Sequence, residues 1–173
     1  MSLSSLITNK ISAIASLILI VLSLNVTVFA QEGTNTGDIA PKFNVTTLAG
    51  EFVNSVLLKD KKPIYLKFWA TWCSYCKEEM PHLQKIFDRY GHNIEVVAIN
   101  IGMNDSIKRI GRFFEKYQYN LPVVFDEKGE LVEKFMIRGT PQHILIDEQG
   151  KIVHRSALIT DDLHNKIVQL SNK

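Results

Sequence analysis

Hydrophobic and polar positions follow two regimes along this chain. From Ile11 to Leu24 every residue is apolar apart from three serines, and Lys10 is the one charged side chain between Met1 and Ala30. A short positive start followed by an apolar run is the layout of an export signal. Val28 and Ala30 supply small residues at the spacing needed for cleavage before Gln31. The same run also suits an uncleaved anchor, because no charge occurs from Ile11 to Gln31 and that length spans a hydrocarbon core of about 30 Å. Asn25 and Thr27 weaken the distal end of such a span. No cysteine lies in this region, which argues against a lipid-modified form. On either reading the rest of the chain is exported, to the periplasm or cell envelope. Residues 31–38 are polar and rich in Gly and Thr and read as a flexible lead-in, and residues 39–173 as a single domain.

Beyond the lead-in, the pattern switches between short buried strands and amphipathic helices. Phe43–Thr46 and Glu51–Asn54 flank Leu48-Ala49-Gly50 and predict a small hairpin. Ile64–Ala70, entered after Pro63, and Ile94–Ile101 are apolar runs of strand length. Between them Met80, Leu83, Phe87 and Tyr90 recur at three- and four-residue spacing, the stripe of a helix that Gly91 closes. Pro81 lies inside it and predicts a kink. Asp105 or Ser106 caps a helix reaching about Tyr117, and Thr160 or Asp161 caps a last one reaching about Leu170. Leu121–Phe125 and His143–Ile146 are further strands, and a turn after Ile146 leads to Ile152–His154. Strand, helix, strand, helix, then a hairpin and a final helix make an α/β fold. The expected architecture is a thioredoxin-like mixed sheet with helices on both faces and an added N-terminal β-hairpin.

Composition narrows the picture further. Apolar residues make up 46% and charged residues 22%, which excludes disordered and low-complexity chains. The net charge is +2, and +1 once residues 1–30 and their single lysine are removed, too small for a nucleic-acid surface. Two cysteines cannot staple a domain, so an ordinary core must hold it.

Both cysteines fall in Trp72-Cys73-Ser74-Tyr75-Cys76, where the first long strand meets its helix. A sulfur at a helix N-terminus faces unpaired N–H groups and the positive end of the dipole. Such thiols have their pKa lowered from about 8.5 toward roughly 3.5–7.5. Cys73 is therefore the expected nucleophile, and Cys76, one turn inside, the expected resolving thiol. A purely structural disulfide closing so short a loop contributes only about 2 kcal/mol. A metal site using the thiolates with His82 or His92 lacks a second cysteine pair. No metal and no dissociable cofactor is expected.

Glu79, three residues beyond Cys76, lies on the buried stripe, whereas Glu78, His82, Lys85 and Arg89 form the solvated face. A carboxyl beside a buried thiol should have a raised pKa and take or give a proton as Cys76 turns over. The plainer reading is a glutamate at the stripe's edge reaching water. Lys67 interrupts an otherwise apolar strand. Either it pairs with Glu79 beneath the cysteines, or its stem is buried and its amine reaches solvent. Thr140-Pro141 precedes the strand His143–Ile146, and a strand entered through proline leaves backbone groups for another chain. A cis Thr140–Pro141 bond would suit a sharp turn packed against the cysteines.

The run Lys67-Phe68-Trp69-Ala70-Thr71-Trp72-Cys73-Ser74-Tyr75-Cys76-Lys77-Glu78-Glu79-Met80-Pro81, with Ala40-Pro41-Lys42-Phe43 and Gly139-Thr140-Pro141, resembles thioredoxin-like proteins of the TlpA/ResA type. These are exported thiol–disulfide oxidoreductases, and the resemblance covers about residues 39–170. It implies that Cys73 attacks and Cys76 resolves, that Glu79 is the family's acid near the site, and that Pro141 is a cis-proline facing the disulfide. Trp72, Thr140 and Pro141 would then form the substrate-binding side. Lys67 stands where thioredoxin has a buried aspartate, and Ser74-Tyr75 replaces its Gly-Pro, so these three positions would tune redox poise. The resemblance further implies reduction of disulfides in exported clients, apocytochrome c among them, with recharging by a membrane thiol electron donor. The alternatives are a disulfide-donating oxidant, a thioredoxin-like peroxidase and a copper-binding module. A peroxidatic cysteine needs a threonine three residues earlier, and Ala70 precedes Cys73 there. Copper carriers favour a longer cysteine spacing and a distal histidine, which neither His143 nor His154 clearly supplies.

Overall fold

The computed structural model describes residues 33–172. The apolar segment read as signal or anchor lies outside them. No helix among the described residues is long and apolar enough to cross a membrane.

Strand β3 (Ile64–Trp69) is the centre of a five-stranded sheet, and all six of its residues are buried. It is covered on both faces, which is why its sequence runs apolar without alternating. β4 (Glu95–Asn100) lies parallel on one side, with β5 (Val123–Phe125) parallel beyond it. β6 (Gln142–Ile146) and β7 (Ile152–Ser156) extend the other side antiparallel, giving the order β5-β4-β3-β6-β7. β1 (Asn44–Thr46) and β2 (Phe52–Asn54) pair apart from it as the expected antiparallel hairpin.

The faces sort by parity along β3. Tyr65 and Trp69 pack with Met80, Leu83 and Ile86 of helix α2 (Ser74–Tyr90), Ile110 of α3 (Ile107–Tyr117) and Leu163 and Ile167 of α5 (Asp161–Ser171). Ile64, Leu66 and Phe68 face the opposite layer, made by Phe43, Val53, Phe135 and Leu131 of α4 (Glu130–Lys134). Phe135 sits 5.6 Å from the Phe43 ring and 5.7 Å from the Phe68 ring. Helices therefore lie on both faces, as expected, and the fold is thioredoxin-like. α2 runs from Ser74 to Tyr90 as one helix that includes Pro81.

Two elements were not anticipated. α1 (Ser55–Leu58) is a single turn capped by Asn54 with no buried residue, so it leaves no hydrophobic period to read. α4 is barely longer, and its first amides are held by a side chain from outside it. Asp126 Oδ2 accepts from Leu131 and Val132 N–H at 3.0 and 2.9 Å.

Backbone from elsewhere in the chain pairs along the β7 edge of the sheet and meets the β5 edge at Val123. Gly37 N–H donates to the Ile152 carbonyl at 2.8 Å, Ile152 N–H donates to Asp38 at 2.9 Å, and Ile39 bridges Lys151. The end of the expected lead-in is thus hydrogen-bonded to β7 at Gly37 and Asp38, and Arg155 Nη1 adds a bond to the Thr34 carbonyl at 2.7 Å. On the other edge Leu48 N–H donates to the Val123 carbonyl at 2.8 Å.

Candidate active site

Cys73 is the N-cap of α2, with extended backbone at φ −80° and ψ 110°, and its sulfur accepts the Cys76 N–H at 3.2 Å. One of the orphan donors that open the helix is thereby aimed at the sulfur itself. Cys73 and Cys76 are joined by a disulfide. Cys73 retains 7% exposure and Cys76 none, so Cys73 is the more accessible of two largely buried cysteines. Trp72, Ser74 and Tyr75 are exposed beside Cys73, and the Trp72 indole N–H donates to the Met103 carbonyl at 2.8 Å. β3 and β6 pair with Phe68 opposite Gln142, which carries Thr140-Pro141 to the end of the sheet where Trp69 leads toward Cys73. The Thr140–Pro141 bond is cis and Pro141 is buried.

Behind the disulfide lies a polar chain. Lys67 is fully buried, and of its two readings the ion pair is the one found. Its Nζ lies 2.9 Å from Glu79 Oε2 and donates to the Cys76 carbonyl at 3.3 Å. Parity turns Lys67 toward α2, and in register it sits between Ala98 and His143, with no exposed surface through which to snorkel. His143, also fully buried, places Nε2 3.1 Å from the same Glu79 oxygen and Nδ1 2.8 Å from the Tyr65 hydroxyl. Burial, and then the charge of Glu79, pushes the Tyr65 phenol up, so it keeps its proton and donates it to Nδ1. The network therefore assigns the ring proton to Nε2, which donates to Glu79. Burial lowers the His143 pKa, in keeping with a neutral ring. The other Glu79 oxygen accepts from Ile159 N–H at 2.9 Å.

The chain matches the model of the AhpC/TSA family over residues 36–155. It is 31% identical over 140 residues to the thioredoxin-like protein YneN of Bacillus subtilis, covering 79% of this chain and 81% of that one. It is 32% identical over 126 residues to the thiol-disulfide oxidoreductase ResA of Bacillus thuringiensis, covering 71% and 70% respectively. The crystal structure of the exposed lipoprotein thioredoxin of Streptococcus pneumoniae superposes with a TM-score of 0.65 at 27% identity, over 75% of this chain and all of that one. The chain belongs to the AhpC/TSA family. Within it, this AhpC/TSA member is a thiol–disulfide oxidoreductase of the ResA-like type, with its cysteine pair at Cys73 and Cys76.

One expectation for this AhpC/TSA member is overturned. Glu79 was expected to have a raised carboxyl pKa. Burial does push it upward, but the His143 N–H, the Ile159 amide and the Lys67 charge outweigh that and bring it from 4.5 to about 2. Periodicity placed the carboxylate correctly but carries no information on partners supplied by β6 and by the segment before α5. His82 also differs from its expected solvated position. It is half-buried, with its ring 5.9 Å from that of His164, because α5 packs beside α2.

Tyr65, His143 and Asp105 were given no role at the cysteine pair by the sequence reading, which weighed His143 only as a copper ligand. The signal for His143 was a polar side chain on a buried strand, cross-strand from the equally anomalous Lys67. Asp105 had been read only as a helix cap. Its carboxylate accepts from Thr71 N–H at 2.7 Å, Thr71 Oγ1 at 2.8 Å, Asn100 Nδ2 at 2.7 Å and Ser106 N–H at 3.0 Å. It clamps the turn before Cys73 to the end of β4, whereas the helix cap itself is Ser106. Among the described residues no group of three or more His, Cys, Asp or Glu is placed to hold a metal ion.

Proposed function

We propose that this enzyme works outside the cytoplasm, in the periplasm or cell envelope, as a reductant of disulfides in exported proteins. The observation that carries the reading is the asymmetric cysteine pair: Cys73, at the N-cap of α2, keeps a small exposed surface and Cys76, one turn on, keeps none. In the reduced enzyme the Cys76 N–H and the helix dipole favour the Cys73 thiolate. That thiolate attacks a client disulfide, and Cys76 then displaces the client from the mixed disulfide. Trp72, Thr140 and Pro141 receive the client chain. Glu79 stays ionised through the cycle and holds the Lys67 charge in place, while Ser74 and Tyr75 tune the poise of the pair. Apocytochrome c is one client class, and a membrane thiol electron donor recharges the enzyme. Residues 1–30 direct export, as a cleaved signal or as an anchor. A relative described as an exposed lipoprotein thioredoxin supports that compartment.

The test is the reduction potential of the Cys73–Cys76 pair, equilibrated against a glutathione or dithiothreitol couple. A value near or below about −230 mV supports a reductase, and one near about −120 mV makes the protein a disulfide donor instead. Insulin reduction that survives Cys73→Ser would overturn the nucleophile. Cell fractionation with intact-mass measurement tests the compartment: an extracytoplasmic chain beginning at Gln31 marks a cleaved signal, a membrane-bound one retaining residues 1–30 marks an anchor, and a cytosolic chain defeats the export reading.

A further inference from the structure

Resolution by Cys76, the step assumed in the proposed function, poses an electrostatic problem. The attacking species must be a thiolate, yet Cys76 has no exposed surface, and burial raises a thiol pKa. Ionised Glu79 makes this worse, since a carboxylate nearby opposes a second negative charge. The charge that touches Cys76 is of the other sign. Lys67 Nζ donates to the backbone carbonyl of Cys76 at 3.3 Å while lying 2.9 Å from Glu79 Oε2. Burial pushes the Lys67 pKa down, and the Glu79 charge and hydrogen bond oppose that; with the carboxylate ionised 2.9 Å away, the ammonium is the form that completes the ion pair.

The groups behind Lys67 have one evident job. Tyr65 donates to His143, His143 donates to Glu79, and Ile159 N–H occupies the remaining Glu79 oxygen. All of these keep the carboxylate ionised and aimed at Lys67. Such a chain fixes the ammonium against the first turn of α2. The other titratable groups bearing on this cluster are His82 and Lys85 of α2, His164 of α5 and His154 of β7.

We infer that Lys67 is the positioning charge of the resolving step: its ammonium, anchored on Glu79 by the Tyr65–His143 chain, stabilises the Cys76 thiolate. In that step the Cys76 sulfur attacks the Cys73 sulfur of the mixed disulfide. The Cys73–Cys76 bond forms and the Cys73–client bond breaks. The electron pair leaves on the client thiolate, which takes up the proton that Cys76 released. The two electrons come from the enzyme's own dithiol. Stabilising the thiolate also stabilises the reduced enzyme, so Lys67 makes the pair more oxidising than a neutral residue would.

The experiment is a thiolate titration of Cys76 by ultraviolet absorbance, in the full chain carrying Cys73→Ser. Adding Lys67→Met should raise the Cys76 pKa by about one pH unit or more, the lower end of the effect of a nearby opposite charge. In the Lys67→Met chain with both cysteines intact, release of client from the mixed disulfide at pH 7 should slow about tenfold, and the redox equilibrium should move toward the disulfide. A second pair of variants separates the chain's role from packing. His143→Phe should move the Cys76 titration in the same direction, and His143→Gln, whose amide can still donate to Glu79, should largely restore it. A folded Lys67→Met protein with an unchanged Cys76 titration overturns the inference. If that variant does not fold, an unchanged titration in His143→Phe overturns it equally. Because the titration needs no client, it fails independently of the reductase reading, which stands or falls on the reduction potential of the Cys73–Cys76 pair in the parent protein.

Discussion

Replacing Glu79 with glutamine removes the negative charge on which the buried polar chain converges, and the structure sets the size and the pH window of the effect. The Glu79 pKa falls from 4.5 to about 2 in the folded protein. At 1.36 kcal/mol per pH unit this corresponds to about 3 kcal/mol of folded-state preference for the ionised form. The side chain keeps 14% of its surface in water, and screening there trims the figure to about 2 kcal/mol. The sign follows from linkage. A carboxylate with a depressed folded-state pKa binds its proton more readily in the unfolded chain. Its contribution is complete above pH 4.5, is lost as the pH falls from 4.5 toward 2, and is absent below that. At pH 7 the variant also leaves Lys67 buried beside a neutral amide, and removing one partner of a buried pair costs about 3–5 kcal/mol. Urea unfolding of the oxidised protein, followed by tryptophan fluorescence, gives the stability of parent and Glu79→Gln at pH 7, 4.5 and 2.5. The gap between them should be about 3 kcal/mol or more at pH 7 and should narrow by about 2 kcal/mol by pH 2.5. A gap that does not change between pH 4.5 and 2.5 would refute the assignment of the lowered pKa to Glu79.

Three further outcomes are expected. Asp105→Ala frees both Thr71 donors and Asn100 Nδ2 at once, and should cost about 3 kcal/mol in urea unfolding and slow insulin reduction through a loosened turn before Cys73. Phe135→Ala empties the space between the Phe43 and Phe68 rings and should lower stability by about 3–5 kcal/mol, read as a shift of the urea midpoint at unchanged slope. Cys76→Ser should accumulate a stable mixed disulfide with a thiol-reactive peptide, detected by intact mass, whereas Cys73→Ser should not.

The parts of the fold that were legible in the sequence are those with a long period. β3 and α2 announce themselves through a continuous apolar run and a three-and-four spacing, and the cysteines mark the junction between them without any tertiary information. The hairpin was readable, and the caps to within one residue (Asp105 or Ser106, Thr160 or Asp161), because turn and cap residues act on their immediate neighbours; the caps are Ser106 and Thr160. What stayed hidden depends on contacts distant in sequence. Lys67 admitted two readings until the register placed His143 and Glu79 around it, and the Glu79 pKa ran opposite to expectation because its hydrogen-bond partners come from other elements. α1 and α4 are too short to carry a period at all, and α4 depends on an aspartate outside its own span.

The backbone paired along β7 bears on how the sheet meets other chains, because an open sheet edge is a template for an exposed strand. Here residues 37–39 pair along β7 and Leu48 occupies an acceptor on β5. The β7 edge is thereby closed to an added strand over this stretch, while β5 is engaged at Val123. Self-association should therefore appear first in variants that loosen residues 37–39.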